Sequence, residues 1–289
     1  MSVGSELAYL SGYPFEVRYS DGAVSRATAV ADVAAAAYSY FNRRFTGVAP
    51  DIAVIVANEG DWFGSGPYGL PFFNDDPGQL RPGVIAMPSG GGDFWMAIVQ
   101  DLRDAAPRGY LKLCAAYPDG AGGVDLQPFF DLVVIHELGH AFETLGDLRL
   151  PTFWLSEIFV NLAMHAFVAT QSPERLPVLE TLPTVGAGSR NLATRMRAQG
   201  YSTLEDLQAH YADSDEPMDP LNYVWFQHRW LRLAADMFGT DGEESLVRFW
   251  ECFHARDRVA AGETRAVSLA PLLTAEVSPT LGRAVRRWH

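Results

Sequence analysis

The sequence predicts an α+β protein, on three observations. Short β-branched runs bounded by turn residues fall in the early part of the chain. One long Ala-rich stretch with helical spacing interrupts them, and from Pro128 onward the periodicity is helical. Strands that lead and helices that follow give an α+β order, with residues 1–146 as a sheet-bearing lobe and 147–289 as a helical lobe.

Each element rests on its own pattern. Phe15 to Tyr19 alternates as a strand does, and Ala23 to Phe45 carries large apolar residues at helical intervals. Asp51 to Ala57 (DIAVIVA) is a β-branched run closed by Asn58 and Gly60, which reads as a buried strand. The Gly, Pro and Asp-rich stretch from Gly60 to Pro82 reads as a long surface loop. Gly83 to Met87 is a further strand that stops at Pro88. The run Gly90, Gly91 and Gly92 then suits a flexible connection, or a backbone that approaches a ligand closely. Four later stretches, PFFDLVVIHELGHAFETLG, PTFWLSEIFVNLAMHAFVA, LNYVWFQHRWLRLAADMFG and EESLVRFWECFHA, have helical spacing. Ala121 to Gly123 and Pro183 to Ser189 are the clearest loop candidates.

Composition excludes several functions. Hydrophobic residues make up 48% of the 289 residues and charged residues 20%, which is a globular balance with enough apolar surface for a large core. Acidic residues outnumber basic ones 35 to 22, a net charge of -13, whereas a nucleic-acid binder rewards clustered Lys and Arg. No nucleic-acid partner is expected. Cys114 and Cys252 are the only cysteines, too few for a disulfide framework, and they read as buried thiols. The opening MSVGSELAYLSGYPFEV has neither a basic start nor a continuous apolar run, and no uninterrupted apolar run approaches about 18 residues. A cytoplasmic protein without a membrane span is the expectation.

The chemistry centres on His136-Glu137-Leu138-Gly139-His140, an H-E-x-x-H pattern inside a helical stretch. At about 100° per residue the two histidines lie about 40° apart around a helix and one turn along it, so both imidazoles can reach one metal ion. Glu137 sits about 100° to the side, where a carboxylate can take a proton from an attacking water. The pattern arises by accident in roughly one such sequence in a hundred, so its surroundings matter. FFDLVVI before it makes a buried helix, and Gly146 supplies a helix end.

A catalytic zinc site takes a third protein ligand and keeps one position open. The metzincin continuation needs a Gly at position 143 and a His at position 146, but Glu143 and Gly146 stand there. Glu143 and Asp147 read as exposed carboxylates at the helix end. Glu157 is the better candidate. It lies in Trp154-Leu155-Ser156-Glu157, at the start of the helix that follows Pro151. Asn161 follows by one turn on the same face, where it could accept a hydrogen bond from a ligand imidazole or face solvent. His165, a further turn along, reads as a packed or surface histidine.

With H-E-x-x-H on one helix and W-L-x-E on the next, the chain resembles the gluzincins, the family of thermolysin and the alanyl aminopeptidases. It is similar above all to their small bacterial peptidase MA-like relatives. The resemblance implies Glu157 as third zinc ligand and a zinc cleft between a sheet-bearing N-terminal lobe and a helical C-terminal lobe. It also implies an oxyanion donor, Tyr or His, on a helix well downstream. LNYVWFQHRW offers Tyr223 and His228, and relatives that open such a helix with Tyr and close it with F-G, like Phe238-Gly239, favour Tyr223. The small residues usual after the glutamate ligand are here Ile158 and Phe159. No counterpart of the aminopeptidase G-x-M-E-N motif is present, so capture of a free amine is not implied.

The expected function is a zinc metallopeptidase in which Glu137 is the base. A zinc hydrolase acting on a small molecule, or an inactive binding protein of the same fold, would share most of these features. The intact ligands and base speak against the inactive form.

Overall fold

The computed structural model of the chain describes residues 7–45, 47–63, 67–75, 83–199, 201–212, 220–254 and 265–288. In chain order these form β1 (Ala8–Leu10), β2 (Glu16–Tyr19), α1 (Val24–Arg44), β3 (Ile52–Ala57), β4 (Phe72–Asn74) and β5 (Gly83–Pro88). The helices α2 (Asp93–Ala105), α3 (Pro107–Ala116), α4 (Gln127–Leu145), α5 (Phe153–Gln171), α6 (Leu176–Ala187) and α7 (Arg190–Gln199) follow. The chain ends with α8 (Leu204–Leu207), α9 (Pro220–Asp241), α10 (Glu244–His254), α11 (Ala266–Leu272) and α12 (Pro279–Arg286). The fold is mixed α and β and mostly helical, with one small sheet among the described residues. Two compact units divide it: residues 1–101 with 117–146, and residues 102–116 with 147–289.

The first unit is the sheet with α1, α4 and most of α2. Strand order is β1-β2-β3-β5-β4, parallel across β2, β3 and β5 and antiparallel at both edges. All residues of β3 and β5 are buried, as expected of central parallel strands covered on both faces. Helices α1 and α4 pack on each other and touch the sheet. Over the first part of α1 the buried stripe is mostly small (Ala27, Ala31, Ala34 and Ala37), which lets neighbouring elements come close. Further along, Tyr38, Phe41 and Phe45 surround Phe142 of α4 with ring centroids 5.4 to 5.8 Å apart. Leu7, Trp62 and Phe63 pack against Ile55, Ala57 and Val84 of the sheet.

Three sequence expectations change in this unit. Part of the Gly60 to Pro82 stretch lies outside the described residues, and within the rest Phe72–Asn74 pairs with β5 as an edge strand. β1, before the first expected strand, forms the other edge. The glycine run, read as a flexible connection or a backbone that approaches a ligand, packs against the chain itself at Gly92. A methyl group at Gly92 would lie 2.4 Å from the carbonyl oxygen of Tyr68, and Trp95 Nε1 donates to the carbonyl of Gly69 at 2.7 Å. The close approach is to the chain's own backbone.

In the second unit α9 packs along both α5 and α6, while α10 also rests on α5. Helix α5 starts where Thr152 accepts a hydrogen bond from Leu155 N and the Phe153 N–H donates to Gln208 Oε1 at 2.8 Å, so two of its open N–H groups are satisfied. Ile158 and Phe159 are fully buried, and Phe159 packs edge-on to Phe249. Pro183 to Ala187, expected as loop, continue α6. Leu179, Leu182, Val185 and Gly186 are buried there, and that burial outweighs the helix-breaking residues. Cys252 is buried, whereas Cys114 is half-buried. By length and composition α5 could cross a membrane, with mean hydropathy 1.3, and 78% of that window is buried inside the protein.

Candidate metal centre

Helix α4 presents the two histidines through packing on its other side. Phe142 lies about 200° around the helix from His140, and Leu138 stands in the same relation to His136. Anchoring Phe142 among Tyr38, Phe41 and Phe45 therefore turns the histidine face away from α1. The His136 and His140 rings have centroids 5.0 Å apart and planes 80° apart. Two imidazoles that each ligate one zinc at about 2.0–2.1 Å, near the tetrahedral angle, put their ring centres on the order of 5 Å apart. The pair fits a shared ion.

His140 Nδ1 lies 3.2 Å from Glu143 Oε2. With the proton on Nδ1 donated to that carboxylate, the Nε2 lone pair is left for a metal. Glu143 is thus not the exposed residue expected; it is only partly accessible, and it orients the imidazole. Asp147 is exposed, pairs with Arg149 and adopts φ 56°, so the left-handed residue at the end of α4 follows Gly146. Glu137 is buried on the same helix.

The second unit builds the surroundings of Glu157. This carboxylate is 2% exposed and accepts a hydrogen bond at each oxygen: Tyr223 Oη donates to Oε1 at 3.0 Å, and Gln227 Nε2 donates to Oε2 at 2.5 Å. Both donors come from α9, one turn apart, facing α5. Asn161 is buried, and its Nδ2 donates to Gln227 Oε1 at 2.8 Å and to the Glu157 carbonyl at 2.7 Å. It does not face solvent, and its Nδ2 is spent within the second unit. A lone Gln at position 227 carries no sequence signal; only its place one turn after Tyr223 singles it out afterwards.

The other singled-out histidines lie elsewhere in this unit. His228 is buried with Nδ1 lacking a hydrogen-bond partner, and its ring packs against Gly186 of α6. Burial pushes its pKa down to about 4. His165 is buried against Phe238 and bonds Glu180 Oε1 at 2.8 Å. Its pKa is lowered because burial outweighs the opposing pull of that carboxylate.

No family model matches this sequence, and comparison with curated proteins gives no match.

Proposed function

We propose that the chain is a zinc-dependent hydrolase of the gluzincin type that cleaves peptide bonds. The observation that carries this reading is the His136–His140 pair, whose 5.0 Å ring separation suits ligands of one ion, with Glu137 between them on the helix. The ligands we propose are His136, His140 and Glu157, each with one donor atom to give. Two imidazoles and one carboxylate are a catalytic zinc set that leaves a position open.

When bound, zinc supplies Lewis acidity that polarises a carbonyl and makes a water acidic enough to attack at neutral pH. Glu137 takes the proton from the attacking water and passes it to the leaving amine. The Tyr223 hydroxyl donates to the carbonyl oxygen as negative charge develops on it. His228 is the alternative donor. Enclosure against Gly186 favours Tyr223 for that role.

The test is elemental analysis of protein purified without chelator, before and after zinc addition, with a digest of a broad peptide library. About one zinc per chain is expected, with cleavage that disappears in Glu137→Gln while the metal stays bound, because the base is not a ligand. Absence of zinc uptake, or wild-type turnover in Glu137→Gln, overturns the reading. Zinc uptake without peptide cleavage redirects it to a small-molecule substrate.

A further inference from the structure

We infer that Gln227, held by Asn161, is the positioning residue for Glu157. It fixes oxygen Oε2, so that Oε1 is the oxygen offered to the metal. This rests on Glu157 being a metal ligand.

A glutamine amide has one accepting and one donating end, and only the surroundings decide which end faces where. Here Asn161 Nδ2 donates to Gln227 Oε1, so the donating end of Gln227 must face Glu157. Asn161 is itself fixed by its second bond, to the carbonyl of Glu157. The four groups close a ring: Glu157 carbonyl, Asn161 amide, Gln227 amide and Glu157 carboxylate. All of it lies in the seam between α5 and α9.

The two oxygens of Glu157 are therefore not equivalent. Oε2 is bonded to an amide that is anchored at its far end. Oε1 is bonded to Tyr223, a phenol whose hydroxyl can rotate to another acceptor. A ligand carboxylate with one oxygen anchored in this way keeps its rotamer when the metal leaves, and the metal then meets a site already in shape.

The test is the zinc dissociation constant, measured by competition with a chromogenic chelator, alongside thermal unfolding of the metal-free protein. Gln227→Met keeps the volume and removes the amide. Its zinc affinity should fall roughly 10- to 100-fold, while the melting temperature of the metal-free protein stays near the wild-type value. Asn161→Leu should weaken zinc binding in the same direction. In the Gln227→Met background it should add little, because its effect runs through the lost amide.

Wild-type affinity in Gln227→Met, or full additivity of the two changes, overturns the proposal and leaves the metallohydrolase reading standing. If wild-type protein takes up no zinc, both fall. If Gln227→Met fails to fold, Gln227→Glu, which keeps the shape but points an acceptor at Glu157, decides by the same measurement.

Discussion

The imidazole of His228 fills the space that a side chain at Gly186 would need: a methyl group there would lie 1.8 Å from Nδ1. Helices α6 and α9 meet at this point, and the glycine is required by contact rather than by backbone conformation. Gly186→Ala should therefore destabilise the protein by about 1–3 kcal/mol, even though alanine favours a helix by about 1 kcal/mol. Urea unfolding measures it, and an unchanged or higher midpoint would refute the packing. In a His228→Ala background the penalty should shrink, since the two residues compete for one volume.

The same burial makes stability depend on pH. His228 has a folded-state pKa of about 4, below the value of about 6.5 for a free histidine. Between these values the unfolded chain binds a proton that the folded chain does not, so stability falls as pH drops from about 6.5 to about 4. Above that window the group contributes no slope. The loss from this residue is on the order of 3 kcal/mol, and His165, whose pKa is also lowered, adds in the same direction. Compared by urea unfolding at pH 7.5 and pH 5, His228→Asn should lose less stability than wild type. An equal loss would place the acid sensitivity elsewhere.

Tyr223→Phe removes one hydroxyl and keeps the ring beside Phe153 and Tyr211. Zinc content should hold, and kcat should fall on the order of a hundredfold or more with a smaller change in KM, because an oxyanion donor acts on the chemical step. His228→Ala should lower stability and leave kcat at moderate temperature near wild type. Steady-state kinetics on any cleaved peptide separates the two. The reverse pattern would transfer the role to His228.

Ligand and orienting carboxylates should separate by metal affinity. Glu157→Ala should lose zinc, as should His140→Ala, since each removes one of three donors. Glu143→Gln should keep zinc with affinity reduced roughly tenfold, because only the partner of His140 Nδ1 is weakened. Asp147→Asn, at an exposed pair with Arg149, should change nothing. Chelator competition on the four variants checks this order, and zinc retention by Glu157→Ala would exclude it as the third ligand.

How far these features could be read in advance followed from their range along the chain. The helical repeat around His136 and His140 is local, so α4 and the facing of its two imidazoles were legible from spacing. Pro151 and the W-L-S-E run likewise marked the start of α5. Strand β4 was not legible, because Phe72–Asn74 is too short to have a period and becomes a strand only by pairing with β5. Pro183 reads locally as a stop, yet burial of Leu182 and Val185 carries α6 past it. Gln227 was invisible for a related reason: its meaning comes from Asn161 and Glu157, more than sixty residues earlier in the chain. For Asn161 spacing left two readings open, accepting from a ligand imidazole or facing solvent, and neither pointed to the bonds its Nδ2 donates to Gln227 and to the Glu157 carbonyl.

Helix α5 has a consequence at the ribosome. Its 19 residues hold one charged side chain, Glu157, and are buried largely by α6, α9 and α10, all of which are translated later. Until those helices emerge, the nascent chain displays a segment as apolar as a membrane span, with its single carboxylate lacking Tyr223 and Gln227. Synthesis of the second unit thus creates a client for chaperones, and a chain released before α9 is complete should aggregate where the finished protein does not.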